Sequence, residues 1–185
     1  MPRTFVAVES SEKVRSALSE VQDELESTGA DLKLVSNEDI HMTLRFLGDI
    51  SENRLDFVKD AIRKSCNVES FQADIKGMGI FPNPGYIRVI WAGVDSGTSE
   101  LKSLRTDLDK NLSEIDISSD DKDFTPHYTI ARVKSGKAKD KLRSIVEKYS
   151  DRMWGSVGVD NIKLMKSELT PEGPIYTPLE IFELD

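Results

Sequence analysis

Cysteine, histidine and long apolar runs are all scarce in this chain of 185 residues. The single cysteine, Cys66, excludes an internal disulfide bond, suits an intracellular setting, and is interpreted as an inert buried thiol. No segment reaches the ~18 consecutive apolar residues of a membrane span, and the N-terminus lacks the apolar core of a signal peptide. We therefore expect a cytoplasmic protein that does not enter a membrane.

The charge balance of the chain is acidic, with a formal net charge of −8, 31% charged residues and 38% hydrophobic residues. Such a protein is a poor candidate for coating duplex nucleic acid, because that binding needs many cations to displace counterions. An enzyme that binds one RNA end in a locally positive cleft is still compatible with this net charge, because net charge says little about a single site. The length fits one compact domain over residues 1–185 or two small, closely packed lobes, and the hydrophobic fraction is enough for a core.

Strand and helix patterns alternate along the chain. Strands are predicted at 4–8, 32–35, 40–47, 71–80, 86–94, 127–133, 157–169 and 175–182. Helices are predicted from a cap at Ser10 or Ser11 to Gly29, and over about 51–66, 98–112 and 139–149. Turn-rich segments at 81–85 and 170–174 join strands directly, which favours antiparallel pairing. The expected fold class is therefore α+β with antiparallel sheets, and not a doubly wound parallel sheet.

The two histidines of the chain share one local pattern, in the segments 41–44 (HMTL) and 127–130 (HYTI). One His-x-Thr tripeptide is weak evidence of a functional motif. The probability that both histidines have this pattern by chance is roughly one in several hundred. Side chains alternate along a strand, so each histidine and its threonine point the same way. Two such strands facing each other would surround a small anion with two imidazoles and two hydroxyls.

Two imidazoles suit phosphodiester chemistry without a metal ion. Their ordinary pKa of ~6.5 allows one ring to be neutral while the other is protonated. The neutral ring can take a proton from water, and the protonated ring can give one to the leaving ribose oxygen. A nitrogen/sulfur zinc site would need both histidines and Cys66, which lies on a predicted apolar helix stripe. All-carboxylate magnesium sites stay possible, but no acidic cluster is paired with a phosphate-binding loop. Neither a Walker lysine loop nor a Gly-x-Gly-x-x-Gly segment is present, and we predict no metal ion or other cofactor.

Side chains alternate between the two faces of a strand, so the odd or even position of a residue (its strand parity) predicts the face on which it lies. This parity gives an expected face for three residues near the histidines. Phe46 falls on the buried, apolar face of its strand, opposite His41. Arg45 has the same parity as His41, so it lines the cleft or faces solvent. Arg132 falls on the face opposite His127 unless the strand twists or ends there, and it either contacts phosphate or is a surface charge.

Four aromatic residues and one basic segment have two interpretations each. The rings of Phe46, Phe81, Trp91 and Trp154 could stack on a nucleic acid base, and packing in the core is the preferred interpretation. The basic segment 134–143 could attract RNA, and a solvated helix face is preferred for it.

The His-x-Thr segments resemble the motifs of the 2H phosphoesterase superfamily, in its RNA 2′,3′-cyclic phosphodiesterase (2′–5′ RNA ligase) branch. The resemblance extends over nearly the whole chain, through 3–8, 41–48 (HMTLRFLG), 79–82, 88–94, 124–132 (FTPHYTIAR) and 173–176. It implies a bilobal fold of two pseudo-symmetric lobes, each with an antiparallel sheet and flanking helices, and an active-site cleft between them. Met42 and Tyr128 stand where the family favours leucine, and little effect on chemistry is expected because they lie off the histidine face.

The resemblance also implies hydrolysis of the terminal 2′,3′-cyclic phosphate of RNA to a 2′-phosphomonoester, without a metal ion. Carried over to this chain, His41 is the proton donor and His127 the proton acceptor, and Thr43, Thr129 and Arg132 bind substrate. The expected partner of the monomeric enzyme is RNA with cyclic phosphate ends, such as tRNA fragments, or nucleotides. Two alternatives stay open: a reversible 2′–5′ RNA ligase as the physiological role, and a non-catalytic module that binds RNA ends. The residues alone do not decide which histidine is the acid.

Overall fold

The computed structural model describes residues 3–119 and 123–185. The described residues form nine β-strands and four α-helices. The strands are β1 (Arg3–Glu9), β2 (Leu32–Leu34), β3 (His41–Asp49), β4 (Phe71–Asn83), β5 (Tyr86–Val94), β6 (His127–Val133), β7 (Met153–Val159), β8 (Asn161–Thr170) and β9 (Gly173–Glu183). The helices are α1 (Glu12–Ser27), α2 (Leu55–Ser65), α3 (Thr98–Ser113) and α4 (Lys139–Lys148). The acidic stretch 116–123 is predicted by its composition to be a solvated loop, and its residues 120–122 lie outside the described residues.

The strands form two antiparallel sheets, which confirms the predicted α+β class. One sheet has four strands in the order β3-β1-β8-β9, and the other has five in the order β2-β6-β5-β4-β7. The chain moves between the sheets several times, because β2 joins the second sheet between β1 and β3, and β8 returns to the first. Each sheet with its helices forms one lobe of the expected two-lobed arrangement.

The single strand predicted over 157–169 is wrong, because this segment contains parts of two strands in different sheets. The chain leaves one sheet at the end of β7 and enters the other at β8, with Asp160 between them. The buried positions change parity there, from Val159 in β7 to Ile162 in β8. A change of parity is the sign of a break that the apolar content alone conceals.

The helices follow the predicted apolar stripes. Ser11 is the cap of α1, and its hydroxyl accepts a hydrogen bond from the Val14 backbone N–H at 3.2 Å. The helix predicted from 51 begins later, since a 3₁₀ turn at Glu52–Arg54 precedes α2. Cys66 at the end of α2 is buried, which raises its pKa to about 11, as expected of an inert thiol. No helix in residues 3–119 and 123–185 is long and apolar enough to span a membrane.

The strands β3 and β6 share one irregularity. Leu44 in β3 and Ile130 in β6 are each an extra residue in the register with the neighbouring strands β1 and β5. Each is a β-bulge, after which the alternation of side chains is shifted by one residue. Both strands begin with the same order of burial: half-buried, buried, half-buried, buried, buried, exposed, buried. The shift returns Phe46 and Arg132, each two residues after its bulge, to the face that carries the histidine.

A buried polar side chain from a helix holds each bulge. Gln22 of α1 donates from Nε2 to the carbonyl oxygens of Val35 at 2.7 Å and Ile130 at 2.9 Å. Arg105 of α3 donates from Nη1 to the carbonyl oxygen of Leu44 at 2.8 Å. A buried carbonyl without a donor costs about 1–3 kcal/mol, so these side chains stabilise the bulged strands.

The two sheets contact each other through β3 and β6. Tyr128 is fully buried, and its hydroxyl donates to the backbone carbonyl oxygen of Glu9 at 3.1 Å. Glu9 is the register partner of His41, and Tyr128 is the neighbour of His127. This hydrogen bond therefore joins the strand segments that carry the two histidines.

Candidate active site

The five residues predicted for the site lie on β3 and β6, the strands through which the two sheets contact each other: His41, Thr43, His127, Thr129 and Arg132. We call the space between these two strand faces the histidine cleft. Each histidine shares a half-buried strand face with its threonine, as the spacing predicts. The positive charge of Arg132 lowers the pKa of both histidines, so its guanidinium lies within electrostatic range of both walls. The structure brings these residues together, and their chemical roles are proposals.

The same backbone contact orients both imidazoles. The Nδ1 atom of His41 lies 2.6 Å from the carbonyl oxygen of Asp39, and Nδ1 of His127 lies 2.6 Å from that of Thr125. A carbonyl oxygen only accepts hydrogen bonds, so Nδ1 donates in each ring. The Nε2 atom is therefore the one that can exchange a proton with a ligand, in both histidines.

Burial lowers the pKa of both histidines below the ordinary value of 6.5. For His41 this is opposed by the backbone carbonyl and the carboxylate of Asp39, and also by the carboxylate of Glu9. For His127 it is opposed by a backbone carbonyl alone, while Arg132 lowers its pKa further. The charges around the cleft thus favour the protonated form of His41 over that of His127.

Phe5 and Tyr176 enclose the imidazole of His41. The Phe5 ring stacks on it with centroids 5.0 Å apart, and Tyr176 meets it edge-on at 5.2 Å. Phe46 lies on this side too, 59% exposed and 6.2 Å from Phe5, so its predicted place on the buried face is wrong. The reason is the bulge at Leu44, which reverses the alternation. Nothing in the residue spacing singles out Phe5 or Tyr176, since they come from opposite ends of the chain.

Phe81 and Trp91 enclose the imidazole of His127, with ring centroids 5.0 Å and 5.7 Å away. Trp91 lies against Gly79, where a Cβ would be 2.1 Å from the indole ring, so this close approach requires glycine. Both rings are half-buried and border the histidine cleft, so the interpretation as plain core residues is wrong for them. Trp154 is buried in the core, as preferred.

The two arginines near the bulges occupy places that strand parity does not predict. The bulge at Ile130 puts Arg132 on the same face as His127, exposed to solvent. Arg45 is only 2% exposed, and its Nε donates to a carboxylate oxygen of Asp109 at 2.6 Å. The prediction that Arg45 lines the cleft or faces solvent is therefore wrong, because a bulged strand presents two successive residues to the interior.

A second cation, Lys33, stands beside Arg132 and is not indicated by the sequence. Lys33 of β2 pairs directly with Arg132 of β6, so the two side chains share a face of the sheet. The Nζ of Lys33 lies 3.1 Å from the place of a Cβ on Gly173, at the hairpin of the other sheet. Like charges directly opposite each other repel, so the pair suits an anion between the lobes. The position of Lys33 beside Arg132 follows only from the pairing of β2, a strand of three residues, with β6.

Both threonine hydroxyls are available to a ligand. Within residues 3–119 and 123–185, neither Thr43 nor Thr129 has a side-chain hydrogen-bond partner. In the same described residues, no group of three or more His, Cys, Asp or Glu is arranged to hold a metal ion. The cleft thus offers two hydroxyls, two imidazole Nε2 atoms and the cations Lys33 and Arg132.

Comparisons with known proteins agree with this geometry. Residues 5–184 match a family model described as AKAP7 2′5′ RNA ligase-like domain. An RNA 2′,3′-cyclic phosphodiesterase from Methanothermobacter thermautotrophicus is 38% identical over 183 residues, which cover 98% of each chain. The crystal structure of TT0787 from Thermus thermophilus has a TM-score of 0.82 and 32% identity, and covers 98% of this chain and 97% of that one. The structure of E. coli LigT complexed with 3′-AMP shows the same fold, with a TM-score of 0.80, 19% identity and coverage of 99% and 98%. Because the chain carries two His-x-Thr strands on one cleft and matches these relatives, it belongs to the RNA 2′,3′-cyclic phosphodiesterase family of 2H phosphoesterases, which is a family of enzymes.

Proposed function

We propose that this protein hydrolyses the terminal 2′,3′-cyclic phosphate of RNA to a 2′-phosphomonoester, with His41 as acid, His127 as base and no metal ion. The observation that carries the proposal is the matching pair of His-x-Thr strands on the two walls of the histidine cleft. The names of several relatives, RNA 2′,3′-cyclic phosphodiesterase, support this substrate. A cytoplasmic location and a monomeric state stay predictions.

The proposed reaction moves two protons between defined atoms. Neutral His127 takes a proton at Nε2 from a water molecule, whose oxygen forms a bond to phosphorus. The bond between phosphorus and the 3′ oxygen breaks, and that oxygen receives the proton from Nε2 of His41. The product has a 3′ hydroxyl and a 2′ phosphomonoester, and each proton transfer contributes roughly 10²–10⁴ in rate.

The remaining polar groups of the cleft are proposed to bind the phosphate. Thr43 and Thr129 each lie on the face of their own histidine, so their hydroxyls can donate to the non-bridging oxygens as charge builds there. Arg132 offers a planar, charged donor that matches two phosphate oxygens. Lys33 adds a second positive charge on the same sheet face.

The electrostatics support the proposed direction of proton transfer. The carboxylates of Asp39 and Glu9 raise the pKa of His41, and no carboxylate acts on His127 within the described residues. These carboxylates therefore favour the protonated form of His41, while burial opposes the charged form of both rings. A protonated His41 and a neutral His127 are the states that an acid and a base need.

The experiment that tests the proposal is ³¹P NMR of a short RNA ending in a 2′,3′-cyclic phosphate, incubated with the protein and EDTA. A new 2′-phosphomonoester signal is expected at a rate that EDTA does not change. Loss of turnover in EDTA would overturn the metal-independent step, and a 3′-phosphomonoester would mean that the other ribose oxygen leaves.

Variants of the two histidines test the roles. His41→Ala and His127→Ala should each lower kcat/KM by roughly 10²–10⁴ while both proteins still fold, as circular dichroism would show. Turnover that survives in the double variant would refute the mechanism. Binding of the RNA without any turnover would instead support the non-catalytic module.

A ligase role is the second candidate, and the description of the matching family model favours it. It predicts a 2′–5′-linked product when an RNA with a 5′ hydroxyl is added to the cyclic phosphate end without a nucleotide cofactor. Ligation faster than hydrolysis would make the ligase the main activity of the same cleft.

A further inference from the structure

We propose that a groove at the far end of β6 binds the phosphodiester backbone of the RNA that precedes the cyclic phosphate. This inference rests on the proposed function, and it names the preferred substrate as an RNA strand of several nucleotides. We call this site the basic groove; its volume is about 200 Å³, and it is lined by Tyr86, Arg88, Lys134, Lys139, Leu142 and their neighbours.

The charge of the basic groove is opposite to that of the whole protein. Its lining contains the cations Arg88, Lys134 and Lys139 and no carboxylate, in a chain of net charge −8. The adjoining segment 134–143 contains five lysines or arginines and one aspartate. Within residues 3–119 and 123–185, none of the three lining cations forms an ion pair. A positive groove in an acidic protein fits a phosphate backbone, because each phosphate contact releases counterions.

Contacts around the turn between β4 and β5 give the basic groove a fixed wall. Arg143 donates from Nη2 to the carbonyl oxygen of Pro84 at 2.9 Å. Arg88 donates from Nη1 to the hydroxyl of Tyr86 at 2.7 Å and lies over its ring, 5.6 Å from the centroid. The Tyr86 ring is 57% exposed. An exposed ring among cations is the combination that binds single strands, since bases stack on the ring while cations hold the backbone.

The basic groove lies at the end of β6, the strand that begins with His127 of the histidine cleft. Lys134 follows Arg132 by two residues, so both side chains lie on the same face of the extended chain. The pairing of β2 with β6 extends to this point, because the Lys134 N–H donates to the Asp31 carbonyl oxygen at 2.8 Å. Lys134 is seven positions after His127, and seven steps of ~3.3 Å span roughly 23 Å. Stacked nucleotides rise ~3.4 Å each, so about seven of them span this distance.

The test compares a nucleoside 2′,3′-cyclic phosphate with a ten-nucleotide single-stranded RNA that has the same end. The double variant Lys134→Ala/Lys139→Ala should lower kcat/KM for the RNA about tenfold near physiological salt. It should also reduce the slope of log(kcat/KM) against log salt by about 1.4, because each single-strand phosphate contact contributes ~0.7. Hydrolysis of the mononucleotide should not change.

A matched control removes two exposed lysines from the other lobe. Lys102→Ala/Lys110→Ala on α3 changes the net charge equally and should leave both substrates unaffected. An equal loss for the RNA and the mononucleotide, or no loss for the RNA, would overturn the proposal. So would the same tenfold loss for the RNA in the control variant, because overall charge would then explain the effect.

A binding measurement separates this inference from the proposed function. If the wild-type protein turns over neither substrate, the proposed function fails. Fluorescence anisotropy of a labelled ten-nucleotide RNA ending in a 2′-phosphate then still tests whether the basic groove binds RNA. About tenfold weaker binding by the Lys134/Lys139 variant than by wild type supports it. Equal binding by the two proteins, or equally strong competition by a ten-residue glutamate peptide, would overturn it.

Discussion

Replacing Gln22 by methionine tests whether the bulge at Ile130 positions Arg132 in the histidine cleft. The Gln22 amide is 5% exposed and donates to the carbonyl oxygens of Val35 and Ile130 at 2.7 and 2.9 Å. Methionine has a similar length and volume but no donor, so the main change is the loss of these two hydrogen bonds. The Ile130 carbonyl keeps one donor, the Val35 N–H at 3.0 Å.

The expected loss of stability follows from the two bonds. Each contributes about 1 kcal/mol net, so Gln22→Met should lower the free energy of unfolding by about 2 kcal/mol. In a chain of this size, that corresponds to a melting temperature roughly 4–8 °C lower. A relaxed bulge also lets the strand regain its regular alternation, which moves Arg132 away from the phosphate. Arg132→Ala itself should lower kcat/KM roughly 10–150-fold, and this sets the largest activity loss that Gln22→Met can cause.

A double-mutant cycle separates positioning from simple destabilisation. Gln22→Met should lower kcat/KM when Arg132 is present and have no further effect on activity in the Arg132→Ala background. The melting temperature should fall in both backgrounds. Gln72→Met, at an exposed position of β4, is the control, and it should change neither property. An activity loss of the same size in the Arg132→Ala background would refute the reasoning.

Four further predictions concern the histidine cleft and the strands that carry it. Because both histidine pKa values lie below 6.5, kcat/KM should have its maximum on the acid side of pH 6.5. It should fall at lower pH as His127 becomes protonated, and at higher pH as His41 loses its proton. Glu9→Gln removes a charge that raises the pKa of His41, so it should move only the alkaline limb, to lower pH; movement of the acid limb would reverse the roles. On a p-nitrophenyl phosphodiester, whose leaving group needs no proton, His41→Ala should cost far less than His127→Ala, and equal costs would contradict the assignment. Tyr128→Phe removes the hydrogen bond to Glu9 and should lower stability by about 1 kcal/mol in a thermal melt, against less than about 0.5 kcal/mol for Tyr86→Phe.

The elements and the histidine pair are predictable because their signals are local. The apolar stripe and the Ser11 cap define α1 within a few residues, and the turns around Gly85 and Gly173 separate their strands. The His-x-Thr spacing likewise needs only the two-residue repeat of a strand, so the shared face of each histidine and threonine follows directly.

The errors concern features that depend on a partner strand. A bulge is defined by the register with a neighbour, so parity counted along β3 or β6 alone misplaces Phe46, Arg45 and Arg132. Lys33 joins the site only through the pairing of β2 with β6, which is non-local. The aromatic residues that enclose the imidazoles depend on the same pairings.

The interleaving of the two sheets has a consequence for how the protein acquires its activity during synthesis. In the first sheet β1 lies between β3 and β8, and Arg3 pairs with Ser167, so this sheet closes only when most of the chain exists. Phe5 and Tyr176, which enclose His41, come from opposite ends of the sequence. Contacts of such large sequence separation slow folding, because a long loop must close before they form. We therefore expect a chain still held on the ribosome to be inactive until its last strands emerge, and neither lobe to fold as a separate fragment.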